Sequence, residues 1–265
     1  MRFLTVFVAV LACILAAPAA AQLNVIAEYR LGENDGGVVV GGTGADPTQP
    51  GAAGTGLQRY GAPVYGAGGT PRGRISTASM RFDGSSARYE GPVLTMPTDN
   101  FGVEAWVRSN STTGNAVIAY NGNSSNSGFG LFRLGGNWGF LYGGVVADGN
   151  APATSGWTHL AIVRDNGLSR FYVNGTERIQ TPAAPNAPAG AFHIGGNSLL
   201  ATEFFDGEID EVRVFTFAPG TFSPALLNLA ERPPAVAVPT MTISGVAVLA
   251  MALVLAAVLA VRLRG

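Results

Sequence analysis

The sequence predicts an all-β protein built as a two-sheet antiparallel sandwich, and three observations support that class. Apolar and polar residues alternate with a period of two in many short segments, and turns rich in Gly and Asn separate those segments. Helix-period patterns are scarce between residues 23 and 229. Strands that are apolar on one face bury that face by packing two sheets together. Since no fixed-period repeat is present, one domain over residues 22–230 accounts for this part of the chain.

The clearest strands lie in the middle of the chain. Residues 101–108 alternate strictly, and residues 157–164, 168–173 and 176–179 follow one another through two tight turns. In those turns, Asn166-Gly167 and Asn174-Gly175, glycine accepts a positive φ. Strands with such short connections are antiparallel neighbours. The remaining predicted strands are 116–120, 129–134, 138–142, 191–194 and 207–215.

The Gly-rich stretch 32–74 is less patterned than the rest. A long loop at the rim of the sandwich is expected there, and no strand is assigned to the stretch.

The predicted strands also carry a family resemblance. GWTHLAIVRDNGLSRFYVNG resembles the central hairpin of laminin-G-like, concanavalin A-type jelly rolls, and FGVEAWVR resembles the strand that precedes it. FFDGEIDEVRVF resembles the closing strand, and AEYRLGE and SMRFDGSSARYE resemble the opening ones. The matches follow the order of the family and extend over residues 27–217. The resemblance implies a jelly roll that binds carbohydrate or protein on a sheet face or at the rim loops.

Both ends of the chain carry apolar segments outside the predicted domain. Arg2 precedes an apolar run, and Ala19 and Ala21 fit the A-x-A pattern of a signal-peptide cleavage site, so residues 1–21 predict a secretory signal. Residues 231–237 read as a Pro-rich linker. Residues 243–261 carry no charge and are long enough to cross a hydrocarbon core of about 30 Å as a helix. Arg262 and Arg264 follow and would stay cytoplasmic. The chain is therefore expected to cross a membrane once, with its domain on the outer side.

Residues 238–265 resemble the IPTL-type C-terminal sorting signals that exosortases recognise. The motif residues are Val238, Pro239, Thr240 and Met241, followed by Gly245, with Arg262 and Arg264 as the terminal arginines. Ser244 stands where such signals usually have tryptophan before the glycine. The resemblance implies that the helix holds the protein in the inner membrane of a Gram-negative-type bacterium, with its domain facing the periplasm. It also implies a processing enzyme of the exosortase type that cuts near Pro239 and passes the protein to the cell surface. A permanent membrane anchor is the alternative.

Composition excludes two kinds of chemistry. Cys13 is the only cysteine and lies in the predicted signal, so the exported domain has no disulfide and no thiol site. The chain has no lysine, its arginines are scattered, and its formal net charge is −1. Nucleic acid binding requires a basic face against the phosphate backbone, and this sequence predicts none.

A catalytic interpretation of Glu208-Ile209-Asp210-Glu211 was weighed against a structural one. Retaining glucanases of the same architecture carry Glu-x-Asp-x-Glu, which turns two carboxyl groups about 5–5.5 Å apart to one side of the sugar. Glu208 and Glu211 are three residues apart, so a regular strand points them to opposite faces. His159 and His193 lie within apolar alternations without metal-ligand spacing, which favours structural roles. No catalytic residue is assigned, and the protein is predicted not to be an enzyme.

Two sets of binding residues remain as hypotheses. Tyr120, Trp138 and Tyr142 are candidates for stacking on sugar rings, with core packing as the alternative. The resemblance implies calcium as the one metal to consider, at Asp83 and Asp210, which lie at strand ends in family motifs. The functions left open are a recognition or adhesion domain, a glycan hydrolase, and a structural component of the envelope or matrix.

Overall fold

The computed structural model describes residues 22–32, 35, 37–46, 56–67, 77–197, 199 and 203–229. The chain divides into two compact units, Met1–Glu231 and Arg232–Gly265, and every described residue belongs to the first. The predicted signal (1–21), linker (231–237) and sorting segment (238–265) lie outside the described residues. Within the described ranges, no helix has the length and apolar character needed to cross a membrane.

The described part of the chain forms two antiparallel sheets. Its strands, in chain order, are β1 Asn24–Tyr29, β2 Gln58–Tyr60, β3 Val64–Ala67, β4 Ala78–Asp83, β5 Arg88–Gly91, β6 Phe101–Ser109, β7 Ala116–Asn121, β8 Phe129–Leu134, β9 Asn137–Tyr142, β10 Val146–Pro152, β11 Thr158–Asp165, β12 Leu168–Val173, β13 Thr176–Thr181, β14 Phe192–Ile194 and β15 Asp206–Thr216. The first sheet has eight strands in the order β13-β12-β11-β6-β15-β4-β3, with β1 also paired to β15. The second has seven, in the order β10-β9-β8-β7-β14-β5-β2. The predicted two-sheet antiparallel sandwich is confirmed.

The stretch expected to be a long rim loop contains two strands, so that prediction was wrong in part. β2 pairs with β5, and β3 pairs with β4. An isolated bridge joins Thr43 to Val64. The partners of β2 and β3 therefore impose an extended backbone that the local sequence does not encode, which is usual for strands at a sheet edge.

The main core lies between the two sheets. Alternation sends Val103, Ala105 and Val107 of β6 into it, opposite residues of the second sheet such as Phe129 and Phe140. The rings of Phe101 and Phe129 lie 4.1 Å apart between their centres. Burial of this apolar surface is the dominant favourable contribution to folding.

A smaller apolar cluster lies on the outer face of the first sheet, under residues 217–229, which we call the closing segment. Phe217 and Leu227 of this segment pack on Ala161, Tyr172 and Phe215. The segment contains one short 3-10 turn, Pro224–Leu226, which Ser223 caps through its hydroxyl. The first sheet is therefore covered on part of its outer face by the chain itself.

Buried polar side chains attach the closing segment to the sheet. Glu104 accepts a hydrogen bond from the amide of Asn228 at 2.9 Å, and Trp106 Nε1 donates to the carbonyl of Asn228 at 2.8 Å. Arg213 forms an ion pair with Glu104 and donates to the carbonyl of Leu226 at 2.7 Å.

Charge keeps Glu104 ionised in this buried position. Burial alone would raise the pKa of Glu104, but Arg213, His159 and the Asn228 amide outweigh it and lower that pKa. His159 Nε2 lies 2.8 Å from Glu104 Oε2, so this histidine occupies a structural position in the cluster.

Candidate functional site

The three aromatic residues that the sequence offers as sugar contacts lie in the interior. Tyr120, Trp138 and Tyr142 expose 1% of their surface or less. The hydroxyl of Tyr120 donates to the carbonyl of Ser127 at 2.9 Å, and that of Tyr142 donates to Ser169 Oγ at 2.8 Å. No ring face of the three is accessible to a sugar. They fill the packing role that the sequence left as the alternative.

The structure does not bring the two candidate calcium ligands together. Asp83 lies opposite Asp206 in the pairing of β4 with β15. Asp210 lies four residues after Asp206 on β15, which is about 13 Å from Asp206 at the usual rise per residue. Among the described residues, no group of three or more His, Cys, Asp or Glu side chains could hold a metal ion.

The carboxylate of Asp83 is engaged by its own turn. Its Oδ1 accepts hydrogen bonds from the amides of Ser85, Ser86 and Ala87, each at 2.9 Å. Burial raises the pKa of Asp83, but the three N–H groups and the hydroxyl of Ser86 hold that pKa well below its usual range. Asp83 therefore organises the connection between β4 and β5.

Glu208 and Glu211 are held by separate partners. β15 is not the regular strand expected, because its pairing with β6 shifts register between Asp210 and Arg213 and Glu211 has a φ of 51°. Glu208 accepts hydrogen bonds from Arg108 at 2.8 Å and from Ser79 at 2.5 Å. The side chain of Glu211 is fully buried and pairs with Arg30 at 3.4 Å. Since a hydrolase needs two carboxyl groups that reach the same sugar, these contacts give no support to a catalytic pair here.

A surface cleft lies at the edge of the second sheet. It has a volume of about 330 Å³ and is lined by Gly56, Gln58, Tyr60, Glu90, Gly91 and Pro92. We call it the edge cleft. β2 is the outermost strand of this sheet and β5 is its neighbour, so the cleft spans the last two strands.

Register places the polar side chains of the edge cleft on one face. Gln58 lies opposite Glu90, and Tyr60 lies opposite Arg88. Because side chains alternate along a strand, these four residues point to the same side of the sheet. The residue between them on β2, Arg59, lies opposite the buried Tyr89.

Tyr60 is positioned by its neighbours and remains accessible. The guanidinium carbon of Arg88 lies 4.3 Å from the centre of the Tyr60 ring, a cation–π contact. The Tyr60 hydroxyl donates to Gln58 Oε1 at 3.2 Å. Tyr60 exposes 37% of its surface, more than any other aromatic residue in the described part of the chain. The ring is therefore presented to solvent in a fixed place.

Glu90 connects the edge cleft to a buried histidine. Arg88 Nε donates to Glu90 Oε2 at 3.4 Å, and Nε2 of His193 lies 3.8 Å from the same oxygen. Burial lowers the pKa of His193, with Glu90 opposing and Arg88 reinforcing that change. His193 is therefore neutral at pH 7 and holds a structural position beside Glu90, its partner in the pairing of β14 with β5.

Sequence analysis did not find Gln58, Tyr60 or Glu90. All three residues of β2 are exposed, so they show no apolar alternation that would predict a strand. The alternation of residues 88–91 indicates a strand that contains Glu90. The position of Glu90 near Tyr60 depends on the long-range pairing of β5 with β2.

The two antiparallel sheets form a sandwich of the jelly-roll class. Residues 83–220 match the family model of the concanavalin A-like lectin/glucanases superfamily, about half of the chain. The chain belongs to this superfamily, as the laminin-G-like resemblance implied. No curated protein matches the chain in sequence.

Solved structures share the fold. Domain 4 of AbnA, a GH43 extracellular arabinanase from Geobacillus stearothermophilus solved in complex with arabinotriose, superposes with a TM-score of 0.53 and 21% identity. That match covers 78% of this chain and 97% of the other. The botulinum neurotoxin serotype D binding domain has a TM-score of 0.50 and 14% identity, over 72% of this chain and 48% of that one. This chain therefore spans about half the length of the neurotoxin domain, and both likenesses concern the fold alone.

Proposed function

We propose that this chain is a non-catalytic recognition domain that binds carbohydrate in the edge cleft. The observation that carries the proposal is Tyr60, an aromatic ring held by Arg88 at 4.3 Å and left accessible beside Gln58 and Glu90. Aromatic rings provide a flat apolar surface for the C–H face of a sugar, and amide and carboxylate groups bind its hydroxyls. A domain of similar fold was solved with arabinotriose, which supports a glycan ligand.

The composition of the edge cleft favours binding over hydrolysis. Hydrolysis of a glycosidic bond generally uses two carboxyl groups. Among the described residues that line the cleft, Glu90 is the only one with a carboxyl group. The superfamily name also includes glucanases, so a glycan hydrolase is the second outcome that the experiments must separate. A protein ligand, or a structural role in the envelope without a discrete ligand, is a third.

Binding to an array of oligosaccharides tests this function directly. We expect the full-length chain in mild detergent to bind at least one glycan without releasing reducing ends. Tyr60→Ala should weaken that binding about tenfold or more, since a stacked ring contributes on the order of 1 kcal/mol beyond its buried area.

Trp157→Ala is the matched control for Tyr60→Ala. Trp157 also lies beneath an arginine, with the guanidinium carbon of Arg108 5.1 Å from its ring centre, but it precedes β11 of the first sheet. This variant should keep full affinity for the glycan. Reducing ends that appear with wild-type protein would favour the hydrolase, and glycan binding that survives Tyr60→Ala would exclude the edge cleft.

We further propose that the domain is exported, tethered in the inner membrane and displayed on the periplasmic side, with adhesion as its biological use. The apolar residues 243–261 and the arginines after them support the tether, and the resemblance of residues 238–265 to a sorting signal supports later transfer to the surface by an exosortase-type enzyme. Intact-mass measurement of the protein from its native envelope tests the processing. We expect the mass of a chain that begins at Gln22 and ends near Pro239. A mass that includes residues 243–265 would show that the segment is a permanent anchor.

A further inference from the structure

The charges around the edge cleft are unevenly available to a ligand. Glu90 contributes a carboxylate to the lining, and Gln58 and Tyr60 contribute neutral polar groups. The side chain of Glu90 is about a quarter exposed, at 23%. A carboxylate group that can accept hydrogen bonds therefore faces the space that a ligand would fill.

The positive groups near the edge cleft are engaged elsewhere. Arg88 directs its guanidinium at the Tyr60 ring and at Glu90 Oε2. Arg59 Nη1 donates to the carbonyl of Gly44 at 2.8 Å, on the opposite side of β2. His193 is buried, lies opposite Glu90 in the pairing of β14 with β5, and does not line the cleft. Among the described residues that line the cleft, none carries a positive charge.

The carboxylate of Glu90 should interact differently with neutral and with acidic sugars. Hydroxyl groups of a neutral sugar donate to a carboxylate in charge-assisted hydrogen bonds, which are stronger than neutral ones. The carboxylate of an acidic sugar would meet Glu90 as a like charge in a site partly removed from water, where repulsion is stronger than in bulk solvent. Rejection of one class by a like charge is an ordinary way to achieve specificity.

We infer that the edge cleft selects neutral, hydroxyl-rich sugars over acidic ones and that Glu90 sets this preference. The inference rests on the proposed carbohydrate-binding function and specifies its ligand class. Glu90 is the specificity-determining residue, while the Tyr60 ring forms the surface on which the sugar lies.

Neutral trisaccharides and the corresponding uronic-acid trisaccharides test the inference on the full-length chain. Wild-type protein should bind the best neutral trisaccharide at least about tenfold more tightly than its acidic counterpart, as expected for one unfavourable charge contact. Glu90→Gln keeps the size of the side chain and removes the charge. It should weaken neutral binding and reduce the neutral-to-acidic ratio to near one.

Glu177→Gln is the matched control. Glu177 lies on β13 of the first sheet, is about two-fifths exposed and pairs only loosely with Arg170 at 3.6 Å. Its replacement should leave the ratio unchanged.

Salt provides a test that needs no variant. Repulsion between partly exposed charges is screened as ionic strength rises. The relative affinity of wild-type protein for the acidic trisaccharide should therefore increase between 0.05 M and 1 M salt. Equal binding of both classes at low salt, or a ratio that Glu90→Gln does not change, overturns the inference and leaves the proposed function intact. Failure to bind any trisaccharide overturns the proposed function itself.

Discussion

Glu104 Oε2 lies 2.9 Å from the backbone nitrogen of Asn228 and fixes the closing segment to the outer face of the first sheet. The same carboxylate pairs with Arg213, and both side chains are buried. Glu104→Gln removes one charge and leaves Arg213 without its counter-charge. Breaking a buried pair in this way costs about 3–5 kcal/mol. The free energy of unfolding, measured with urea, should fall by that amount.

Glu177→Gln is the control for this loss, because Glu177 is 41% exposed. It should change the free energy of unfolding by less than about 0.5 kcal/mol. Since the pKa of Glu104 is lowered from 4.5, its stabilisation is complete above pH 4.5 and declines as the pH falls toward the folded value. An unaltered urea midpoint for Glu104→Gln would show that the closing segment does not depend on this carboxylate.

His193 predicts an acid-dependent loss of stability. Burial lowers the pKa of His193 from 6.5, so the unfolded chain binds a proton more readily than the folded one. Stability is therefore full above pH 6.5 and declines as the pH falls from there toward the folded pKa. His193→Gln should reduce the pH dependence of the melting temperature between pH 6.5 and pH 5. An equally steep decline in the variant would show that His193 is not the source of this pH dependence.

Asp83 should be important for stability through its turn. Asp83→Ala removes an acceptor that three backbone amides share. We expect a loss of about 1–2 kcal/mol, as for the removal of a capping side chain. Asp148→Ala, an exposed aspartate on β10, is the control and should be nearly neutral in the same thermal unfolding experiment.

Calcium binding at Asp83 and Asp210 is the hypothesis that the sequence raises, and the melting temperature tests it. Asp83 already accepts three amide hydrogen bonds, and Asp210 is fully buried and accepts the amide of Glu211 at 2.8 Å. We therefore expect the wild-type melting temperature to be the same in EDTA and in excess calcium. A rise with calcium that Asp83→Ala abolishes would establish the site.

Tyr142 tests the burial of the aromatic residues that the sequence proposed as sugar contacts. Tyr142→Phe removes the hydroxyl that donates to Ser169 Oγ at 2.8 Å. The free energy of unfolding should fall by about 1 kcal/mol, the usual net value of one hydrogen bond. Glycan affinity should not change. A selective loss of binding with normal stability would return Tyr142 to the ligand site.

The sandwich could be predicted because its central strands show their environment locally. β6 and β11 alternate clearly, and the turns at Asn166 and Asn174 adopt the positive φ that their Asn-Gly sequences predict. β2 gave no such signal, since all of its residues are exposed and its conformation depends on pairing with β5. Alternation in the local sequence indicates which residues of a strand are buried. The conformation of an exposed edge strand depends instead on the strand with which it pairs.

The candidate site could not be predicted for a related reason. Alternation shows that Tyr120 and Tyr142 lie in strands, but it does not show which strand faces are covered. Tyr120 points away from the main core, and yet its hydroxyl is enclosed by the carbonyl of Ser127 and the amide of Gly143. Such cover comes from loops that are distant in sequence. Tyr60 is left open because, among the described strands, none lies beyond β2 in its sheet.

The pairing of β1 with β15 has a consequence for how the chain acquires its structure. Asn24 Nδ2 donates a hydrogen bond to Thr216 Oγ1 across a separation of 192 residues. β1 is therefore synthesised long before β15, the strand with which it pairs. Contacts that close such long loops form slowly. During that delay, β1 has an unsatisfied backbone that any extended peptide can pair with. The yield of correctly folded protein should therefore rise when β1 is kept from pairing with other chains, either by a chaperone or by dilution.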